Sequence, residues 1–525
     1  MGIITRIKEL FMKTFKSEAQ TVFNTDIISS PEMEFAQQQW LNIIQGRPAW
    51  LSPTVQTINF GRYICGYMAK KTCLDLYVNI EGPEKSTNTK TKAATDNRAA
   101  YINTVVNQMV QKTLRDKVED ACGLGGIIIK PNGTFNPNNA LDYILPNNFA
   151  VTEKSSNGDI LGAVFIDRIT VGNTYYTRLE YHHFDYSNAN ESGAKYIVEN
   201  KAYKSGSEGA LGNKIAMTDV KEWSGIEEYT EFEGVEKPLF AYLRMPHNNT
   251  IDFSSPEGVA IFADCIKELK DLDVAWSRKS DEIEDSQHIT FINEQALRHP
   301  ADKAHPRGYK IELPRFVKGL AQGIEAGNSV QEHIPTLLTE QRITEINSTL
   351  SMISTKCGCS QGQFVLDRKS GYVTATQIES DDQETVQTIT DIRRALMTAI
   401  KDLVYAINKY CDVYFDFEDS YLNILDDDIP DEDIFYFKDL LSTFEADRTR
   451  AYQLMLQGIY SKKKYLMEYE GFSEGEAIAM MQEAAEEKQE AVKQQQIAFA
   501  NGANTNQSLF TDDDEENDAR EDDEE

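Results

Sequence analysis

From Lys356 to Ile378 the chain runs KCGCSQGQFVLDRKSGYVTATQI. Cys357-Gly358-Cys359 breaks the helical period that precedes it, and Ser360 to Val373 reads as a loop with Gly362 and Gly371 near its ends. Helical spacing holds on either side. Thr336 to Lys356 is predicted as one long helix, and Ala375 to Tyr410 as a longer one. The second carries Ile378, Thr385, Ile389, Ile392, Leu396, Ile400, Leu403 and Ile407 at steps of three and four or their multiples. At 1.5 Å per residue it extends about 50 Å. Helices this long bridge domains or pack against copies of themselves.

Upstream of this pair, residues 285–335 are irregular and β-like, opening with His288 to Asn293 and rich in Gly, Pro and basic side chains. Before them Ser255-Pro256 is a fitting N-cap and first position for a helix running to Glu284, roughly 40 Å long. Its stripe is Val259, Phe262, Ile266, Leu269, Leu272 and Trp276. Between Gly123 and Lys204 the pattern is short β runs: Gly126–Lys130, Leu141–Leu145, Ile160–Thr170, Thr174–Phe184 and Tyr196–Lys204. Turns at Ser156-Asn157-Gly158-Asp159 and Val171-Gly172-Asn173 predict one meandering antiparallel sheet. A helix is expected over Asn97–Ala121, and a short amphipathic one carrying Ile3, Ile7, Leu10 and Phe11. Downstream, Val413–Glu418 reads as a strand returning to the sheet. An acidic stretch, Asp426 to Asp433 interrupted by Pro430, then leads to a helical end. There Gly458 stops one helix, Ser461 starts another, and Ser473 with Glu476 forms a capping box.

A chain of 525 residues exceeds one compact core, so two to four units are expected, and 41% hydrophobic with 10% aromatic residues is enough to bury them. The fold class is α+β. A formal charge of −31 argues against strong nucleic-acid binding, which depends on Lys and Arg meeting phosphates. Part of that excess is local. Residues 511–525 are mostly Asp and Glu with no apolar side chain larger than Ala519, a run that repels itself and is expected to be disordered. The seven cysteines, Cys65, Cys73, Cys122, Cys265, Cys357, Cys359 and Cys411, lack paired zinc spacing and read as reduced. Arg6, Lys8, Lys13 and Lys16 interrupt the amino-terminal apolar residues, which argues against a secretory signal. No apolar run approaches the roughly 20 residues of a membrane span.

Catalytic and metal motifs are not found. Gly123-Leu-Gly-Gly126 is followed by strand-like Ile127–Ile129 and not by a Lys-Ser or Lys-Thr helix, so it reads as a tight start to a strand. His182 and His183 alternate across a strand and are expected to be ordinary sheet residues. Asp426, Asp427, Asp428, Asp431, Glu432 and Asp433 lack the glycine of a calcium loop and read as a solvated helix start. No metal ligand, cofactor or catalytic residue is assigned. One charge feature stands apart. Arg298, Lys303, Arg307, Lys310, Arg315 and Lys318 face only Asp302 and Glu312, leaving a local charge of +4 that suits contact with DNA or an acidic partner.

Two long helices around a short basic β unit, then a loop and a third long helix, are similar to the plan of portal proteins. Gly358-Cys-Ser-Gln-Gly-Gln-Phe364, Asp367, Gly371 and Thr374-Ala-Thr-Gln-Ile378 resemble the Gly-Leu-Ser-x-Gly-x-Phe and Gly-x-x-Thr-Ala-Thr-Glu motifs of portals from siphoviruses of Gram-positive bacteria. Cys359 and Gln377 depart from the usual Leu and Glu. Trp50 through Met68 with Thr57-Ile-Asn-Phe60, Met245-Pro-His-Asn-Asn249, Ser255-Pro-Glu-Gly258, Leu272-Asp273 and Gly458-Ile-Tyr-Ser-Lys-Lys463 add to the likeness.

The resemblance implies a non-enzymatic subunit of a twelve-membered ring at one capsid vertex of the virion. The ring is assembled in the host cytoplasm, and double-stranded DNA passes through it during packaging and ejection. The implied parts are a β-rich wing (1–255), stem helices (256–284 and 336–357), a small α/β clip (285–335), a tunnel loop (358–374), a long helix with the returning wing strand (375–430), a helical crown (431–500) and an acidic tail (501–525). The implied partners are further copies of the chain, the terminase large subunit, a head-tail adaptor, and major capsid and scaffolding proteins, with no membrane. Asp367, Arg368 and Lys369 would meet DNA from the tunnel loop, and the six cations above would lie in the clip. Two other readings stay open: a metal-dependent phosphodiester enzyme using the carboxylates near Asp426, and an acidic scaffold.

Overall fold

The computed structural model describes residues 16–28, 30–82, 89–133, 136–187, 195–285, 338–366, 383–414, 421–438 and 444–457. It also describes short strands between 289 and 333 and parts of 460–484. The expected amino-terminal helix, Lys303, Arg307, Arg315, Asp367, Arg368, Lys369, Gly371, residues 375–382 and the tail from 501 lie outside the described residues. The chain divides into two compact units, 1–438 and 439–525.

The first unit opens with helices α1 (16–23), α2 (Pro31–Ile44) and α3 (Phe60–Thr72), a two-residue strand β1 (Tyr77–Val78), then α4 (Thr89–Lys112) and α5 (Leu114–Leu124). The single helix predicted over 97–121 is therefore two. Thr113 breaks it, with φ −126° and ψ −27°, and its hydroxyl lies 2.7 Å from the Tyr143 hydroxyl. The break lets Leu114 be fully buried as α5 starts.

Three strands, β2 (Gly126–Pro131), β3 (Leu141–Ile144) and β10 (Ala241–Arg244), form one antiparallel sheet in the order β10-β2-β3. The meander is a separate six-stranded sheet. It contains β4 (Phe149–Lys154), β5 (Ile160–Val171), β6 (Thr174–Asp185), β7 (Lys195–Ser205) and β8 (Asn213–Ile215), with β9 (Tyr229–Phe232) also pairing β7. The expectation of one sheet is corrected to two, because β2 takes its second partner from residues more than 100 positions later. Ile128, Ile144, Phe149, Val151, Phe165 and Phe240 form one buried cluster that joins the sheets.

Helix α6 spans Ile266–Asp285, about 30 Å. The predicted start at Ser255-Pro256 is wrong for a specific reason: residues 255–262 are buried, and one local and two tertiary bonds take amides that a helix would use. The Glu257 N–H goes to Ser255 Oγ (3.2 Å), the Gly258 N–H to Tyr242 Oη (2.9 Å) and the Ile261 N–H to the Cys122 carbonyl (2.9 Å). Gly258 crosses Gly125 so closely that a Cβ at 258 would lie 2.1 Å from the Gly125 oxygen. The Gly123–Gly126 cluster is thus a junction. Helix α5 ends at Gly125 with φ +88° and β2 starts at Gly126, as the strand reading required.

After α6 come β11 (Ile289–Asn293), β12 (Arg298–His299), β13 (Tyr309–Lys310), β14 (Val317–Leu320) and β15 (Val330–His333). Strand β11 is parallel to β14 and antiparallel to β15, while β12 and β13 form their own antiparallel pair. Helix α7 covers Thr339–Lys356 and α8 covers Gln383–Tyr414, about 48 Å. The predicted stripe of α8 is buried at Ile389, Ile392, Leu396, Ile400, Leu403 and Ile407. Ala406 and Tyr410 continue it into the core around Tyr196 and Phe232. This is why Val413 and Tyr414 end a helix and do not begin the predicted strand. The rest of the predicted strand, 415–418, lies outside the described residues, and the chain pairs at β16 (Phe435–Tyr436), after a short helix α9 (Asp431–Ile434). The ladder matches Tyr436 with Tyr77 and Phe435 with Val78.

The second unit contains α10 (Phe444–Leu456) and α11 (Lys462–Glu468), and a further helix at 475–484. Ser461 is the N-cap residue of α11. The Ser473–Glu476 capping box is present, with the Ser473 N–H and hydroxyl both on Glu476 Oε2 (2.9 and 2.7 Å).

Candidate functional site at the base of the 358–374 loop

The motif from Gly358 to Phe364 folds as a clamp. Gly358 has φ +69°, and the Thr388 hydroxyl of α8 donates to its carbonyl at 2.6 Å. Ser360 and Thr385 bond reciprocally, the Ser360 N–H to Thr385 Oγ1 (2.8 Å) and the Thr385 N–H to Ser360 Oγ (3.3 Å). Gln363 Nε2 donates to Tyr67 Oη (3.0 Å). Phe364 is nearly buried among three rings of α3, edge-on to Phe60, Tyr63 and Tyr67 at 5.5, 5.9 and 5.5 Å. The Leu366 N–H donates to Asn347 Oδ1 of α7 (3.0 Å). Gly362, expected to loosen the loop end, instead makes a turn at φ +83° that the Val365 N–H closes onto its carbonyl (3.3 Å). Beside the clamp opens a cleft of about 910 Å³ lined by Ser351, Ser360, Gln361, Gln383, Glu384 and Gln387.

Helices α6 and α7 are tied at both ends. At one end Arg342 meets Glu282 (3.0 Å), and Glu282 Oε1 also accepts the Leu338 N–H (2.8 Å). The Leu338 amide, then Arg342, hold the Glu282 carboxyl below its ordinary range. At the other end Lys356 pairs with Glu268 at 2.6 Å and donates to the Asp264 carbonyl at 3.0 Å. The stretch 50–58 is pinned along α6 by Asp273, which accepts Trp50 Nε1 (2.8 Å) and the Ile58 N–H (3.0 Å). The Gln56 N–H goes to Ser277 Oγ (3.0 Å). Leu272-Asp273 and the Trp50–Phe60 segment, read from sequence as separate likenesses, are thus one contact.

Of the basic residues between the two helices, Arg298 and Lys310 stand directly opposite each other in the β12–β13 ladder, and Lys318 stands opposite Phe291 in β14–β11. Near the acidic stretch, Asp431 pairs with Lys401 at 2.6 Å, and α9 begins there as predicted. Asp426 accepts the Asp428 N–H (3.0 Å) and the Tyr421 hydroxyl (2.8 Å), which together lower its pKa. Among the described residues no three His, Cys, Asp or Glu side chains gather as metal ligands.

One polar constellation escaped the sequence reading. His182 is no ordinary sheet residue, since it is fully buried with Nε2 2.8 Å from Glu180 Oε1 and Nδ1 3.0 Å from Tyr196 Oη. Glu180 also receives Lys130 Nζ of β2 (2.9 Å) and Arg178 (3.0 Å). Burial pushes the Glu180 carboxyl up, but Lys130 and Arg178 outweigh it and hold it well below the usual range. For His182 burial dominates and lowers the pKa despite Glu180. Arg178, Glu180 and His182 alternate along β6, so the signal was three polar residues on one strand face, with Lys130 joining only in three dimensions.

No curated protein matches the sequence. The family model for phage portal proteins of the SPP1 Gp6-like type matches residues 77–494 of the 525. The match takes in both tied helices, the β strands between them, the clamp and α8, and leaves the Trp50–Met68 likeness outside it. The chain therefore belongs to the SPP1 Gp6-like family of phage portal proteins.

Proposed function

We propose that the chain is the portal subunit of a tailed phage. Twelve copies form a ring at one capsid vertex, through which DNA is packaged and ejected, and on which the terminase large subunit and a head-tail adaptor dock. The family match over residues 77–494 carries this reading. In it, the two β-sheets with α1–α5 are the wing, α6 and α7 the stem, 285–335 the clip, 358–374 the tunnel loop and 431–500 the crown. The chain is a passage and docking surface, not an enzyme. A net acidic subunit suits a channel in which DNA slides, because each neutralised phosphate would hold the duplex.

The ties at both ends of α6 and α7 support a stem that acts as one rod, and the clamp around Phe364 supports a loop projecting from a fixed base. The excess of basic residues over 298–318 of the sequence supports a clip surface that meets a negatively charged partner. Negative-stain imaging of the purified chain tests the proposal: rings with a central hole are expected, and a population of monomers without rings overturns it. Turnover of a phosphodiester with Mg²⁺ or Mn²⁺ that disappears when Asp426 to Asp428 are changed to Asn would favour the enzyme instead. For the tunnel loop, Arg368→Ala with Lys369→Ala is expected to leave rings intact and reduce DNA packaged per head. Normal filling would remove these residues, with Asp367, from the DNA path.

A further inference from the structure

We propose that Cys265 and Cys357 form a redox-closable lock between the two stem helices. Their sulfurs lie 3.5 Å apart, and both side chains are fully buried. Cys265 ends the turn immediately before α6, and Cys357 is the C-cap of α7, so the pair joins the start of one helix to the end of the other across 92 positions of sequence. One ammonium holds these ends in register through two contacts: Lys356 on Glu268, and Lys356 on the Asp264 carbonyl. The Cys265 thiol is itself aimed, donating to the Phe262 carbonyl at 3.3 Å. Cys359, two residues on, lies beyond the turn at Gly358.

Closure breaks two S–H bonds and forms one S–S bond. Two protons and two electrons leave the pair, and a low-molecular-weight disulfide takes them up and becomes two thiols. The contact with Cys265, followed by burial, pushes the Cys357 thiol well up, so little thiolate exists in the closed core. Reaction therefore proceeds through transient opening of the helix base and is slow. A slow lock suits a protein assembled in a reducing cytoplasm and later carried into an oxidising medium. That use, and the word stem, rest on the portal reading; the thiol chemistry does not.

The test uses the purified full chain held for hours in oxidised glutathione, then denatured and alkylated. Counting alkylated thiols by mass is expected to give five in place of seven, with one linked peptide pair containing Cys265 and Cys357. The unfolding temperature should rise by about 5 °C or more, since a long loop is closed. Cys359→Ser should still lose two thiols, whereas Cys357→Ser should lose none. Seven free thiols after treatment, including at a temperature near unfolding, overturn the lock. So does a linkage mapped to any other pair or between two chains. Imaging the chain before treatment separates the readings, because a chain that forms no rings before oxidation yet gains the link afterwards sinks the portal proposal alone.

Discussion

Glu180 receives Lys130, Arg178 and His182, all buried, so its charge is what makes two interior cations tolerable. Glu180→Gln should cost about 3 kcal/mol in urea unfolding, because it leaves the buried Lys130 and Arg178 only their longer contacts with the part-exposed Asp142 (3.4 Å) and Asp167 (3.5 Å). Lys130→Met with Glu180→Leu should recover part of the loss, since a well-packed apolar pair carries no desolvation cost. The same cluster sets a pH signature. The folded-state pKa of His182 lies below its ordinary 6.5, so its neutral form contributes stability above that value which is lost as pH falls through and below 6.5. Glu180, depressed below its ordinary 4.5, adds a second loss only under about pH 4.5. Stability should therefore decline between pH 7 and 5.5, and His182→Gln should remove part of that decline, the rest belonging to His183 and His247, which burial also lowers. An unchanged slope in the variant would place the titration elsewhere. Strand β6 itself was legible from sequence, but the cluster was not. Alternation puts Arg178, Glu180 and His182 on one face without saying that the face is covered, and Lys130 arrives from a different sheet.

At the scale of elements, periodicity was read well where one helix face is buried along its length, as in α8, and badly where tertiary bonds compete with helical ones. Ser255-Pro256 has the local chemistry of a helix start, yet Tyr242 and the backbones of Cys122 and Gly125 claim the chain until Ile266. Local signals cannot register a partner 100 residues away. The loop motif shows the converse. Gly358, Gly362 and Phe364 were recognised as part of a pattern, and in the fold they belong to turns and contacts that fix the loop base against α3 and α8. Phe364→Ala should thus destabilise the chain by about 3–5 kcal/mol, the usual cost of emptying a buried aromatic site. Phe364→Leu should lose markedly less. Thermal unfolding of the two variants checks this, and equal, small losses would show that the ring cage holds nothing in place.

Charge acts at the scale of the whole molecule. Residues 501–525 carry −10 of the chain's −31 and have almost no apolar surface with which to pack. Such a segment contributes little to an interface, but in the proposed ring twelve copies would concentrate 120 negative charges if every tail lay near the others. Repulsion among them opposes assembly and is screened over about 10 Å at 0.1 M salt. Ring formation by the full chain should therefore strengthen as salt rises from about 0.02 to 0.3 M. A chain ending at Ala500 should form rings equally well at high salt and show a weaker dependence at low salt. Light scattering across that series measures both. If the shortened chain fails to form rings at every salt concentration, the tail is part of the interface. If both chains keep the same steep dependence, the repulsion comes from the folded units, and the acidic surface that limits assembly lies within residues 1–500.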